Sequence, residues 1–218
     1  TVGVVAGSTQ SVWAPTRVVR VVQTIESSTR PAVVQTDAGL GYLKALGNPE
    51  GPHVLACEWV GTNLARLLGL PTLDAAIVTL HADCTYDFDV EEPSRGRALP
   101  GRAFITRQVL GTQWDGSEEM LHTLSNPDVL CGLVVLDTWL RNADRYGPDG
   151  DRRNVRNVFF SEEGAPKAKY RVVAMDFSHA FTNGRSPSAS HFSIDAVRDE
   201  RVYGCFPEFR PWLRPSVV

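Results

Sequence analysis

Nothing in the 218-residue chain approaches the roughly 20 consecutive apolar residues that a membrane-spanning helix needs. No secretory leader is visible either, although a start at Thr1 is expected to reflect trimming. Charge of one sign is also lacking: 22 Lys and Arg face 25 Asp and Glu, a net charge of -3. That balance gives no global reason to expect a nucleic-acid partner, and no basic stripe or helix-turn-helix pattern appears. The four cysteines (Cys57, Cys84, Cys131 and Cys205) form no C-x-x-C pair, which argues against a zinc site. Cys57 and Cys131 fall inside apolar helical patterns and are expected to be reduced, buried, small hydrophobes. The compartment expected from this is the cytoplasm. Internal repeats and low-complexity tracts are absent as well.

What is present is an ordinary globular composition, 43% hydrophobic and 22% charged. The length allows one domain or two small lobes. The most informative stretch runs from Leu136 to Phe181. Ser125-Asn126-Pro127-Asp128 predicts a helix start, with a capping Ser or Asn, Pro in the first turn and an acidic residue near the positive end of the dipole. The run V-L-C-G-L-V-V-L-D-T-W-L-R-N is apolar nearly all round and reads as buried. Asp137 and Asn142 interrupt it. A buried Asp in mid-helix usually hydrogen-bonds a neighbouring backbone turn, and that is the role expected of Asp137.

This helix delivers Asp144 and Arg145. Turn chemistry makes G-P-D-G-D-R-R, 147–153, a loop. Asn154 and Asn157 follow, and Asn157 immediately precedes the short strand V-F-F. A second strand, Lys169 to Met175, ends at Asp176-Phe177-Ser178. Phosphoryl transfer to a hydroxyl needs one carboxylate to orient the attacking oxygen, and an Asn and a second Asp to hold magnesium on the nucleotide. A strand-terminal Asp is common by itself. The joint occurrence of Asp144, Asn157 and Asp176 in this order is much rarer.

Upstream, Val18 to Val22 and Ala32 to Gln35 read as strands. The turn T-D-A-G-L-G leads into Y-L-K-A-L, where Tyr42, Lys44 and Leu46 share one strand face. Lys44 is either an edge-strand lysine on a solvated face or a lysine reaching nucleotide phosphates. In the second case Gly39 and Gly41 would let the turn approach a phosphate closely. A helix is predicted over 54–68 by apolar spacing, stopped by Gly69 and Pro71. Glu58 lies beside its apolar stripe and needs a partner, for which Lys44 is the obvious candidate. Strands are expected over Leu73–Leu80 and Arg102–Leu110, and Arg107 on the latter is counted among the nucleotide contacts. Between them, Asp83, Asp87, Asp89, Glu91 and Glu92 lack EF-hand spacing and read as a solvated loop. The aromatic, proline-rich tail is expected to pack on the larger part of the molecule.

Together Y-L-K at 42–44, the run from Glu58 to Pro71, L-D-T-W-L-R-N-A-D-R from Leu136, N-V-F-F from Asn157 and M-D-F-S-H-A-F from Met175 resemble the HipA-like kinases. Those enzymes share their fold logic with protein kinases and phosphatidylinositol kinases. The resemblance implies an α+β, two-lobed, protein-kinase-like fold. Its β-rich N-lobe would occupy residues 1–112, and a mainly helical C-lobe with a short metal-site hairpin residues 113–218. It also implies transfer of the ATP γ-phosphate to a hydroxyl, most simply a protein Ser or Thr. Lys44 would contact phosphates, Glu58 would hold Lys44, Asp144 would orient the acceptor, and Asn157 and Asp176 would bind Mg²⁺. The loop between Asp144 and its Asn is longer than kinases usually have, so Asn154 competes with Asn157. The short C-terminal part keeps two alternatives open, a nucleotide-binding module without turnover and a small-molecule kinase.

Overall fold

The β-branched and aromatic segments of the first half form one antiparallel sheet. In this computed structural model, which describes residues 13–89, 92, 96–193 and 198–214, its strands are β1 (Val18–Thr24), β2 (Ala32–Thr36), β3 (Gly39–Leu46), β4 (Ala75–Leu80) and β5 (Leu99–Arg107). Their spatial order is β1-β2-β3-β5-β4. Leu43 and Ala45 of β3 join Val34, Val78 and Ile105 in a buried core on one face. By the two-residue period of a strand, Tyr42, Lys44 and Leu46 point to the other face. β3 lies between β2 and β5, so Lys44 is not on an edge strand. Helix α1 (His53–Leu67) follows β3 and buries Val54, Cys57, Glu58, Gly61, Thr62 and Ala65.

The second half holds a three-stranded antiparallel sheet, β6 (Gly111–Gln113), β7 (Phe159–Ser161) and β8 (Arg171–Val173). Among the described residues its α-helices are the four-residue α2 (Glu118–Leu121) and the twelve-residue α3 (Val129–Leu140). This is less helix than a mainly helical part would carry. The tail forms a 3₁₀ turn, Pro207–Trp212; Pro207 suits its first position, and Pro211 removes a backbone donor that a longer helix would need. Phe206 and Phe209 pack with Trp114, Phe160 and Leu130 in a second core, as the aromatic tail predicts.

Two local expectations change. Ser125 and Asn126 do not cap α3. Ser125 Oγ donates to the Tyr170 carbonyl at 2.9 Å, and the Asn126 amide pairs with both backbone groups of Val172 at 2.9 and 3.0 Å. Tertiary partners took the side chains that local chemistry reserved for the cap. At the other end, Arg141 adopts left-handed φ 51° and Asn142 N–H donates to the Asp137 carbonyl at 2.8 Å, ending α3 sharply.

All four cysteines are free thiols, with Cys57 and Cys131 buried. Of the acidic loop, Glu91 lies outside the described residues. Among the described residues no group of three or more His, Cys, Asp or Glu is placed to hold a metal ion, and no helix is long and apolar enough to cross a membrane.

Candidate active site

Between the two sheets lies a cleft of about 1100 Å³, lined among others by Lys44, Glu58, Asp144, Asn157, Asp176 and His179. Its deepest feature is an ion cluster. Lys44 Nζ stands 2.5 Å from Glu58 Oε1 and 2.9 Å from Asp176 Oδ1. Strand β3 supplies the lysine and α1 the glutamate. Asp176 follows β8 in the left-handed region at φ 61°, a conformation that costs a non-glycine residue energy and often marks a functional position. Glu58 Oε2 also accepts from Phe177 N–H at 3.2 Å, and Ser178 Oγ lies 3.0 Å from Asp176 Oδ1. Gly61 makes this approach possible: a Cβ there would sit 2.4 Å from the Phe177 side chain. The glycine therefore lets α1 and the Asp176-Phe177 turn meet.

One ammonium serves two carboxylates, Glu58 buried and Asp176 a quarter exposed to the cleft. Burial disfavours the charged Lys44, but Asp176 and Glu58 outweigh it and hold its pKa above the ordinary lysine value. Burial pushes Asp176 up, yet Lys44 and Ser178 keep its carboxyl well below the usual range. For Glu58, burial and the charge of Asp176 prevail and its pKa is raised. Next to this cluster, burial pushes the Cys57 thiol up to about 11, which leaves it an inert thiol in ordinary conditions.

The second cluster surrounds Asp144. Its Oδ2 accepts from Asn157 Nδ2 at 2.7 Å. Its Oδ1 lies 3.2 Å from Arg152 Nη1 and 3.3 Å from His179 Nδ1. The other nitrogen of His179, Nε2, is 3.0 Å from Glu50 Oε1. Burial disfavours the charged imidazole, but the Glu50 hydrogen bond and the charge of Asp144 raise the His179 pKa above its ordinary value.

Arg145 fastens this loop from beneath. It is fully buried, with Nε 2.7 Å from Asp137 Oδ2, Nη2 donating to the Met175 carbonyl at 3.0 Å and Nη1 donating to the Asn157 carbonyl. Asn142 Nδ2 donates to Asp137 Oδ1 at 3.1 Å. Asp137 is thus structural, as its mid-helix position suggests, but its partners are side chains, and chiefly a guanidinium. That guanidinium ties the backbone beside Asp176 to the backbone of Asn157.

Lys44, Glu58, Asp144, Asn157 and Asp176 therefore meet in one cleft. Of the two competing asparagines, Asn157 is the one bound to Asp144. Asn154 lines the cleft too, but its backbone N–H is committed to the Arg145 carbonyl at 2.9 Å. Three expected nucleotide contacts fall elsewhere. Gly39 pairs with Thr36, whereas Leu43, the neighbour of Lys44, pairs with Ala32. The β2–β3 turn thus lies at the far end of the hairpin, roughly 16 Å from Lys44 at 3.3 Å per residue. Gly39 serves the turn with φ +112°, and Gly41 leaves room for Ile105, whose side chain a Cβ would meet at 2.7 Å. Arg107 pairs with Asp74 at 2.8 Å and Glu163 at 2.5 Å, beside a separate cavity of about 270 Å³. Strand direction decides all three, and a lone G-x-G carries no information about it.

The cleft also contains residues that the sequence patterns did not single out: Glu50, Arg152, His179 and the β1–β2 loop with Ser27, Ser28 and Thr29. The S-H after Asp176-Phe177 was a visible signal for His179. The loop had none, since Glu-Ser-Ser-Thr contains no glycine.

Comparison with known proteins gives three findings. No curated protein matches the chain. Among solved structures, one match is WaaP in complex with acyl carrier protein, at 13% identity and a TM-score of 0.45, covering 80% of this chain and 68% of that one. A family model described as HipA-like kinase matches residues 18–200, a span that includes the residues of both clusters. The chain belongs to the HipA-like kinases.

Proposed function

We propose that the protein is an ATP- and Mg²⁺-dependent phosphotransferase acting on a hydroxyl, in first place a Ser or Thr of a protein. The observation that carries this reading is the joint placement of Lys44, Glu58 and Asp176 within 2.9 Å contacts and of Asp144 and Asn157 at 2.7 Å, all lining one cleft. The two sheets then act as the two lobes, divided near residue 112, with ATP between them. Lys44 neutralises phosphate charge, and Glu58 holds its ammonium in place. The β1–β2 loop, Ile25 to Pro31, covers the phosphates in the role first expected of Gly39 and Gly41. Asp144 orients the acceptor hydroxyl.

The donor chemistry fits Mg²⁺. Asp176 offers a carboxylate beside the cleft, and Asn157, with its Nδ2 committed to Asp144, presents its amide oxygen as a second hard donor. A site of two protein oxygens suits a small cation that completes its shell with phosphate and water. Bound there, Mg²⁺ would neutralise charge developing on the transferred group. The chain's own residues supply position and fixed charge, which account for most of the rate in such reactions.

The test is incubation of the full chain with labelled ATP and Mg²⁺, alone and with mixed Ser/Thr peptides. Transfer that vanishes in Asp144→Ala and Asp176→Ala is expected. Tight ATP binding without any transfer or hydrolysis would favour a binding module, and no ATP binding would defeat the kinase reading.

A further inference from the structure

Every oxygen of Asp144 is occupied. Asn157 Nδ2 holds Oδ2, while Arg152 and His179 share Oδ1. A carboxylate oxygen offers about two acceptor sites, so a hydroxyl that Asp144 orients through Oδ1 takes the place of one of its partners there. Two are fixtures: Asn157 is 7% exposed, its carbonyl fastened by Arg145, and His179 is 8% exposed and also held by Glu50. Arg152 differs in kind. Its side chain is 43% exposed. It projects from the polar loop 147–153, which departs from and rejoins the core at the antiparallel bridge between Tyr146 and Arg153. Its removal from Asp144 disturbs no packed core. Arg156, from the same stretch, also lines the cleft and is exposed. Among the described residues it has no ion-pair partner.

We propose that Arg152 caps Asp144 in the acceptor-free protein and is drawn off by an anionic group next to the acceptor hydroxyl, so that the cleft selects acidic acceptors. The proposal rests on the kinase reading and adds to it the charge of the substrate. A guanidinium leaves a carboxylate at little cost only when another anion receives it. A carboxylate or phosphate on the acceptor does this while its hydroxyl takes the vacated place on Asp144 Oδ1. The nucleotide phosphates are the other source of anionic oxygen. Arg152 contacts Asp144 and His179, not Lys44 or Asp176, which favours the acceptor side.

The experiment uses the full chain, ATP, Mg²⁺ and Ser/Thr peptide libraries with Asp, Gln or Lys fixed at each flanking position. The wild type is expected to prefer Asp over Lys roughly three- to tenfold in kcat/KM, the scale of a part-exposed ion pair. Arg152→Lys keeps that preference, Arg152→Gln loses it, and Arg152→Glu reverses it, while the Kd for ATP stays within about twofold in all three. A change confined to ATP affinity would assign Arg152 to the nucleotide and overturn the proposal. Hydrolysis supplies a measurement that needs no acceptor. Water oxygen bonds to the γ-phosphorus, the bond to the ADP oxygen breaks, and the proton leaves through Asp144. Arg152→Gln uncovers that carboxylate and should raise this background several-fold. ATP that is bound but hydrolysed no faster by Arg152→Gln overturns the cap. Failure of the wild type to bind ATP removes the kinase reading beneath it, a separately visible result.

Discussion

Asp176 and Asp144 line the same cleft and are held by opposite means. Asp176 belongs to a closed set of charges. Its partner Lys44 comes from a central strand, and their neighbour Glu58 from a helix packed against the Asp176-Phe177 turn. Asp144 stands on a loop, with partners drawn from three irregular segments, one of them exposed. The difference teaches that in this cleft every charge of the ammonium cluster is held by packed elements, whereas the Asp144 cluster has one partner, Arg152, that can leave without disturbing the rest. Regular elements fix charge by backbone hydrogen bonds on both sides. A loop fixes it only through anchors, and here the anchor is Arg145.

The largest effect expected is on activity. Asp144→Asn should reduce phosphoryl transfer by about 10²- to 10⁴-fold, the range for loss of a positioned proton acceptor, while the thermal midpoint stays within about 2 °C. Unfolding of that variant would break the contrast between the clusters. The converse applies to Lys44→Met. The buried Glu58 and the part-exposed Asp176 then face each other without their cation, and urea denaturation should register a loss of about 2–4 kcal/mol. Adding Glu58→Gln should restore part of that loss; a fully additive double variant would mean that the cluster is not a unit.

Smaller in size, Gly61→Ala should cost about 1–3 kcal/mol by overpacking against Phe177. It should also raise the Kd for ATP, measured by calorimetry, because Phe177 carries Asp176. Equal stability and unchanged nucleotide affinity would show that the close approach of α1 is not needed. The smallest effect is the pH dependence of His179, which faces Glu50, Asp144 and Asp176, with Arg152 and His53 as nearby basic groups. Its pKa is raised by folding, so the clasp contributes fully below the ordinary value of 6.5 and is lost as pH rises through the folded-state value. Wild-type stability should therefore fall from about pH 6.5 upward relative to His179→Gln, whose profile should be flatter over that range. Parallel profiles would remove His179 from the second cluster's electrostatics.

Much of this was legible in the chain. Strand and helix positions through Leu80 followed from period and punctuation, and Lys44 found Glu58 because a carboxylate beside an apolar stripe needs a cation. The shortfall in helix after residue 113 has two sources: the prolines of the tail, which are visible locally, and the packing of Phe206 and Phe209 against Trp114, which is not. That the β1–β2 loop lines the cleft while Gly39, Gly41 and Arg107 do not has a geometric cause. A hairpin reverses direction, and sequence proximity to Lys44 says nothing about which end of the strand faces the cleft.

By itself the sequence determined which chemistry is available: an ammonium, three acidic groups and an amide in an order that membership of the HipA-like kinases accounts for. Only the tertiary structure decided which asparagine stands against Asp144, which turn lies above Lys44, and that Arg152 closes the site. Residue identity is written locally, by side-chain type and spacing. The choice among partners is made where strands, α1 and the buried Arg145–Asp137 pair bring distant segments to hydrogen-bond distance, and burial then makes each choice costly to reverse.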